Sequence, residues 1–216
     1  MGVYKSNSPY FSTTIYKYMK WIVITSPETI SGEAIFIDKL FRHGLDLLHL
    51  RKPGASVEAY RELLKSIPAE WHSRIVLHEH FHLTTEFTLH GIHLNRRCAQ
   101  VPEGFSGSIS CACHSLTEVC AKKSLCQYVF LSPIFNSISK VGYEAAFSDT
   151  DLQQAAADGI IDNKVVALGG VTAANIPQLQ RLHFGGAAFL GDIWNRINHP
   201  QIDAYLKQVR EVLGEG

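Results

Sequence analysis

The sequence lacks an excess of charge of one sign, a long apolar run and a paired-cysteine motif. Its 216 residues include 20 Lys and Arg against 20 Asp and Glu, and no five like charges follow one another. This balance argues against a nucleic-acid-binding arm or a membrane-binding face. No stretch approaches the ~20 consecutive apolar residues that span a bilayer. We therefore expect the partners to be small molecules, neutral or locally charged.

The five cysteines are an odd number, none lies in a CxxC motif, and no secretory signal precedes them. This pattern predicts a reducing compartment, the cytoplasm, rather than a disulfide framework. Cys111 and Cys113 alternate with apolar residues, which is typical of buried thiols in a strand.

The first 19 residues are polar and aromatic and contain no apolar core. Met1-Gly2 followed by Ser6 matches a myristoylation pattern, whereas Met19, directly before the first predicted strand, offers an alternative start. We expect residues 1–19 to be a disordered or spurious extension. Residues 20–216 are expected to form one domain, because 46% hydrophobic residues can fill one large core.

Short apolar runs rich in Val, Ile and Leu recur along the chain, as expected for parallel strands buried on both faces. There are eight, at 20–25, 45–50, 74–78, 91–94, 108–113, 128–132, 164–168 and 186–190. Helical patterns lie between most of them, at 31–43, 56–66, 115–122, 149–158, 172–182 and 200–213, with a poor one at 82–89. Predicted N-caps precede five of these helices: Ser31, Ser56, Ser115, Asp149 and Thr172. The strand count favours a single-domain (β/α)8 TIM barrel over a doubly wound open sheet.

Polar, cationic or glycine-rich segments follow most of the predicted strands, whereas the strand interiors are apolar. In a barrel, chemistry lies at the carboxyl ends of the strands, so these segments predict the mouth of the site. They contain His49, Arg51 and Lys52 after the second strand, His78, Glu79, His80 and His82 after the third, His93, Asn95, Arg96 and Arg97 after the fourth, and His114 after the fifth.

Two glycine segments predict phosphate binding. "ALGGVT" leaves the seventh strand through Gly169 and Gly170, and "FLGDIW" leaves the eighth through Gly191 and Asp192. Backbone N–H groups at such helix entries bind phosphate, and barrels often build this pocket after strands seven and eight. The segment "VFLSPIFNSISKVGYE" after the sixth strand offers Ser137, Ser139 and Lys140 as further phosphate contacts, or forms an ordinary solvated loop.

The histidines after the second to fifth strands allow three interpretations. They could bind zinc, because alternate strand residues point to one side. Glu79 could centre a magnesium site. The third interpretation, that they are substrate contacts or structural hydrogen-bonding groups, needs no metal.

Several motifs in this order resemble the thiamine phosphate synthase and thiazole tautomerase (TenI-like) superfamily: "HLRKPG", "GIHL", "SCACHSLTEV", "YVFLSPIFNSISK", "VVALGGVTAANI" and "GGAAFLGDIW". The resemblance covers residues 20–213. It implies a (β/α)8 barrel of thiamine biosynthesis, either a transferase that joins an aminopyrimidine pyrophosphate to a thiazole phosphate with Mg²⁺, or a metal-independent tautomerase of the thiazole phosphate carboxylate. A homo-oligomer is compatible with either.

The resemblance also implies roles for individual residues. Arg51 would contact pyrophosphate, with His49 where the family usually has glutamine and Lys52 displaced by one position from the expected lysine. The superfamily's phosphate-holding groups match Ser137, Ser139, Lys140, Gly170 and Gly191. The candidate catalytic residues are thus His49, Arg51, His114 and Lys140, and the candidate binding residues are Lys52, His78, Ser137, Ser139, Gly169, Gly170, Gly191 and Asp192.

Two positions depart from the synthase pattern, and one of them belongs to the implied Mg²⁺ site. Glu79 keeps one carboxylate, but the second aspartate ligand aligns with Cys98, and Ala112 replaces an expected serine. A thiolate is a poor ligand for this hard cation. Arg96 and Arg97 could supply part of the missing positive charge.

The tautomerase pattern also departs, because Pro133 stands where that branch has a proton-transferring histidine. His49, His78 or His114 would have to act instead. The departures leave a third hypothesis, a catalytically degenerate barrel that binds a phosphate ligand or regulates.

Overall fold

The structure is a computed structural model that describes residues 18–136 and 145–214. Eight parallel strands close into a barrel in chain order, with β1 paired to β2 and to β8. The strands are β1 (Lys20–Ile24), β2 (Leu47–Leu50), β3 (Ile75–Leu77), β4 (Gly91–Leu94), β5 (Ser108–Cys113), β6 (Tyr128–Leu131), β7 (Val165–Leu168) and β8 (Gly186–Phe189). The predicted (β/α)8 fold is confirmed.

Helices follow the strands and cover the outside of the barrel. They are α1 (Glu33–Arg42), α2 (Val57–Ser66), α3 (Leu83–Glu86), α4 (Leu116–Lys122), α5 (Asp149–Ala157), α6 (Ile176–Arg181), α7 (Gly191–Trp194) and α8 (Ile202–Leu213). Short 3-10 helices occupy Ala69–Arg74, Lys123–Leu125 and Ala173–Asn175. Among the described residues, no helix is long and apolar enough to cross a membrane.

Strand alternation divides the core into two layers. On β1, Trp21 and Val23 pack with the helices, whereas Ile22 and Ile24 belong to a smaller cluster with Tyr128 and other residues of the barrel interior. Because alternate strand residues point to opposite faces, the positions on other strands that lie level with Ile22 and Ile24 also point inward. The inward set includes polar residues, which matter below: His49, His93, Ser110 and Tyr128.

Two of the predicted helix caps differ from those in the structure. Ser148, not Asp149, caps α5, because its hydroxyl accepts the Asp151 N–H at 3.1 Å while the Asp151 carboxylate accepts the Ser148 N–H at 3.2 Å. At α1 the N-cap is Gly32 at φ 76°, without a side-chain cap, rather than Ser31. Ser56 and Ser115 cap as predicted.

The barrel begins slightly before the predicted boundary. Met19 is buried and its N–H donates to Leu213 O at 3.0 Å, while the Tyr18 hydroxyl donates to the Asp46 carboxylate. These contacts join the first described residues to α8 and to the segment before β2. The rest of the predicted extension, residues 1–17, lies outside the described residues.

Candidate active site

A cavity of about 740 Å³ lies at the carboxyl ends of the strands, where the sequence predicts the mouth. Its apolar wall is formed by inward residues of β1, β6 and β7: Ile24, Phe130 and Leu168. The segments that follow β2 to β8 supply its polar lining. Of the candidate residues, the cavity brings together Arg51, His78, His114, Gly169, Gly170, Gly191 and Asp192.

One side of the cavity is cationic and carries Arg51, Arg96 and Arg97. Arg97 Nε donates to the Glu79 carboxylate at 2.9 Å, so that charge is partly balanced. Arg51 is fixed through its backbone, which exchanges hydrogen bonds with the Thr25 hydroxyl at 2.8 and 3.0 Å. Within residues 18–136 and 145–214 its guanidinium has no hydrogen-bonded partner. Burial and the charge of Arg97 lower the pKa of Arg51, but a guanidinium stays protonated at neutral pH.

A second part of the cavity lining is formed by the glycine segments after β7 and β8. No acceptor in the described part of the chain receives the backbone N–H groups of Gly170, Gly191 or Asp192. The Asp192 carboxylate turns away to the Tyr205 hydroxyl and to Arg196, whose guanidinium donates at 3.2 Å. Two strand ends thus present free amide donors to one cavity, which is the arrangement that binds a phosphate group.

Gly169 and Gly170 are glycines for two structural reasons. Both have positive φ, 99° and 63°, a region that side chains rarely adopt. A Cβ at Gly170 would lie 2.3 Å from Asn136 O, and one at Gly169 would lie 2.9 Å from Pro133 Cα. The segment after β6 therefore packs directly on these glycines and forms part of the same wall.

A cluster of three buried histidines forms the cavity floor: His49 from β2, His78 after β3 and His93 from β4. His49 Nδ1 lies 3.0 Å from His78 Nε2, and His49 Nε2 lies 2.7 Å from the Tyr128 hydroxyl. His93 Nδ1 lies 2.9 Å from Ser110 Oγ. His78 and His93 reach the cavity, whereas His49 is sealed beneath them.

Burial keeps the three histidine rings uncharged. Burial lowers the pKa of His49 and His78 well below the usual range and that of His93 to about 3, and the charge of Arg51 adds to the effect for His78 and His93. At neutral pH each ring therefore has one N–H and one lone pair.

His114 lies at the rim of the cavity and is exposed. Its Nδ1 is 3.1 Å from the carbonyl oxygen of Ser132, so Nδ1 is the donor. In the neutral ring this leaves the lone pair on Nε2, which could accept a proton from a ligand.

The model of the thiamine monophosphate synthase family matches residues 22–193. The chain belongs to this family. It is 39% identical to thiamine phosphate pyrophosphorylase from Bacteroides thetaiotaomicron, a match that covers 92% of this chain and 100% of that one with a TM-score of 0.82. No match was found among curated proteins.

More distant structures share only the fold. Thiamine phosphate pyrophosphorylase from Pyrococcus furiosus is 15% identical over 90% of this chain and 95% of that one, with a TM-score of 0.71. (S)-3-O-geranylgeranylglyceryl phosphate synthase from Thermoplasma acidophilum is 11% identical over 92% and 94%, with a TM-score of 0.66.

Thiamine monophosphate synthases generally depend on Mg²⁺, but the predicted ligands of this family member do not fit that ion. Glu79 is already paired with Arg97, and burial together with the Glu79 charge raises the pKa of the neighbouring Cys98, which favours the neutral thiol. A single paired carboxylate and a neutral thiol are a poor donor set for a hard cation that prefers oxygen ligands.

Lys52 is the candidate residue that the structure moves away from the site. Its ammonium donates to both oxygens of the Glu33 carboxylate at 2.6 and 2.7 Å, and to Glu28 O at 2.6 Å. The side chain is buried against α1 and is absent from the cavity lining. This corrects the expectation that Lys52 binds phosphate, because its charge is already satisfied inside the protein.

Other candidate residues of this synthase family member are absent from the cavity lining or fall outside the described residues. His49 belongs to the sealed floor rather than the lining, and Ser137, Ser139 and Lys140 lie outside the described residues. Sequence reasoning gave no role to Ser110 or Tyr128, and it placed His93 among the histidines that could bind zinc, contact substrate or form structural hydrogen bonds. The alternation of side chains along each strand could have identified Ser110 and Tyr128. It turns both inward, and an inward polar side chain needs a partner in the barrel interior.

Proposed function

We propose that this protein is a thiamine phosphate synthase-type transferase, which joins an aminopyrimidine pyrophosphate to a thiazole phosphate and releases pyrophosphate. The observation that carries this proposal is one cavity whose lining combines backbone amides after β7 and β8 with arginines after β2 and β4. In the part of the chain that the structure describes, the N–H groups of Gly170, Gly191 and Asp192 after β7 and β8 have no acceptor, and the Arg51 guanidinium after β2 has no hydrogen-bonded partner. The 39% identity to a thiamine phosphate pyrophosphorylase supports the same assignment.

The amide side suits the phosphate ester of the thiazole. The N–H groups of Gly170, Gly191 and Asp192 donate hydrogen bonds without side-chain obstruction, and they need no reorganisation when phosphate binds. The apolar wall of Ile24, Phe130 and Leu168 then excludes water from the heterocyclic rings.

The arginine side suits the pyrophosphate. In the transfer step the bond between the pyrimidine methylene carbon and the pyrophosphate oxygen breaks, and the thiazole nitrogen forms the new bond to that carbon. Pyrophosphate leaves with the bonding electrons, so negative charge grows on it. Arg51 and Arg96 would stabilise that charge. Arg97 would contribute through the part of its guanidinium that does not contact Glu79.

Purified protein supplied with both substrates tests the proposal, with thiamine phosphate and pyrophosphate quantified by mass spectrometry. Arg51→Ala should lower kcat/KM about 10–150-fold, because it removes a charged hydrogen bond worth about 1.5–3 kcal/mol. Arg42→Ala is the matched control, since Arg42 lies on the outer helix α1 and pairs with Asp38. Equal kcat/KM values for Arg51→Ala and Arg42→Ala would show that Arg51 does not contact the substrates.

Lys140→Ala in the same assay tests the sequence prediction for the segment 137–144. If this lysine holds a phosphate oxygen, we expect a loss of similar size. An unchanged rate would withdraw the prediction for Lys140.

Thiazole tautomerase activity is the second candidate, and the geometry of His114 favours it. The Nε2 lone pair of His114 lies at the rim of the cavity, where it could accept a proton from one carbon of the thiazole phosphate carboxylate and return it to another. Incubation of the protein with that carboxylate alone, followed by NMR, distinguishes the two activities. Isomerisation without thiamine phosphate formation would favour the tautomerase, whereas saturable binding without turnover in either assay would indicate a binding or regulatory barrel.

A further inference from the structure

The three-histidine floor has a geometry that the transfer reaction does not require. One ring nitrogen from each of His49, His78 and His93 lies within 4.8 Å of the others, and all three side chains are buried. From this geometry we propose that His49 Nδ1, His78 Nε2 and His93 Nε2 bind a transition-metal ion of the Zn²⁺ class. This goes beyond the proposed function, and its test does not depend on enzyme activity.

Ring positions support a common ion. Two imidazoles bound to one tetrahedral zinc through nitrogens about 2.0–2.1 Å away have ring centroids about 5.2 Å apart. The centroids of His49 and His78 are 5.2 Å apart, and those of His49 and His93 are 5.3 Å apart. The third pair, His78 and His93, is closer at 4.3 Å and would have to open by about 1 Å to match.

The outer nitrogens of two rings are held as metal ligands require. A histidine that binds a metal through one nitrogen donates its other N–H to an oxygen, which fixes the ring orientation. His49 Nε2 faces the Tyr128 hydroxyl at 2.7 Å, and His93 Nδ1 faces Ser110 Oγ at 2.9 Å. Both outer partners are buried and come from neighbouring strands, β5 and β6.

A change of tautomer can free the inner nitrogens of His49 and His78 for the metal. Without a metal, one N–H must lie between His49 Nδ1 and His78 Nε2, because two lone pairs 3.0 Å apart would repel each other. On metal binding the ring that carries this proton takes its other tautomer, with the N–H on its outer nitrogen, so both inner lone pairs bind the ion and no proton is lost. All three rings are buried, and each offers one lone pair to the ion.

The chemistry of the cluster selects the class of metal. It contains three imidazoles and no carboxylate, which suits Zn²⁺, Co²⁺ or Ni²⁺ and not Mg²⁺. His78 and His93 line the cavity, so the fourth coordination position would open toward it. Arg51 and Arg97 are near enough to disfavour a cation, and an anion such as hydroxide in the fourth position would offset their charge.

Titration of tag-free, chelator-treated protein with Co²⁺ tests the proposal, because tetrahedral Co²⁺ has intense visible absorption bands. We expect saturation at one ion per chain, displacement by Zn²⁺, and at least tenfold weaker binding by His93→Gln. Ser110→Ala keeps all three ligands but removes an orienting partner, and it should weaken binding about 10–100-fold. This second variant keeps the test decisive if His93→Gln folds poorly.

Two control variants separate the cluster from other histidines. His114→Gln alters a cavity histidine outside the cluster, and His82→Gln alters an exposed histidine beside His80. Both should bind Co²⁺ like the original protein. Absence of saturable binding, or binding that neither His93→Gln nor Ser110→Ala weakens, would overturn the proposal.

Discussion

At the scale of single residues, the ion pair between Lys52 and Glu33 is the most informative contact. The side chains are 7% and 3% exposed, and the ammonium reaches both carboxylate oxygens. Burial raises the pKa of Glu33 while Lys52 lowers it, so the carboxylate depends on its partner. Adjacent residues of the "HLRKPG" segment thus have different functions: Arg51 faces the cavity, and Lys52 joins β2 to α1.

Lys52→Met should lower the free energy of unfolding by about 3–5 kcal/mol, because it leaves a buried carboxylate without its cation. The double variant Lys52→Met, Glu33→Leu should recover most of that loss, since no buried charge remains. Urea unfolding of the four proteins in the double-mutant cycle measures both effects. If Lys52→Met is as stable as the original protein, the ion pair between Lys52 and Glu33 does not contribute to stability.

The residue scale also shows where sequence reasoning ended. Alternation within β2 and β4 already turns His49 and His93 toward the barrel axis, and their separate strands are neighbours of β3. The sequence could therefore predict that histidines gather there. It could not predict that His49 is sealed, or that Glu33 takes the charge of Lys52, because both depend on how side chains from distant segments pack.

At the scale of elements, the segments after β6 and β7 depend on each other. Ile134 N–H donates to Leu168 O and Phe135 N–H donates to Gly169 O, each at 3.0 Å, so the two segments continue the pairing of their strands. The two segments can lie this close only because residues 169 and 170 are glycines. The phosphate-binding prediction for these glycines stays a prediction: Gly170 admits the neighbouring backbone, and within the described residues its N–H has no acceptor.

Gly170→Ala should destabilise the protein more than Gly159→Ala, which is its matched control. Both glycines have similar positive φ, 63° and 69°, so an alanine at either meets the left-handed penalty of about 1–2 kcal/mol. Only the Gly170 Cβ also meets Asn136 O, at 2.3 Å, whereas Gly159 has open space. Thermal unfolding and titration with thiazole phosphate measure the outcome: we expect weakened binding for Gly170→Ala alone. Equal stability and equal affinity for the two variants would contradict this description of the wall.

Element boundaries were predictable to within a few residues where apolar runs are short and uninterrupted. β4 and β5 have the predicted bounds, because Gly91 and Ser108 begin clear apolar segments. The predicted N-cap of α5, Asp149, is one residue too late. Ser148 and Asp149 are both suitable N-cap residues, and only the reciprocal hydrogen bonds between Ser148 and Asp151 show that Ser148 is the cap.

At the scale of the whole molecule, the count and order of strands were sufficient to predict the barrel. A closed sheet of eight parallel strands brings all the strand ends to one face, so residues as distant in sequence as Arg51 and Gly191 line the same cavity. What the order of strands does not determine is the division of that cavity into an amide side and an arginine side. That division arises from the loop conformations and is the basis of the proposed transfer reaction.

The most direct test of this division is a crystal structure of the protein with thiazole phosphate and pyrophosphate bound. We predict that the phosphate ester accepts hydrogen bonds from the N–H groups of Gly170 and Gly191, and that pyrophosphate contacts the Arg51 guanidinium. A thiazole phosphate group bound away from both glycines, or both anions bound on one side, would contradict the central claim.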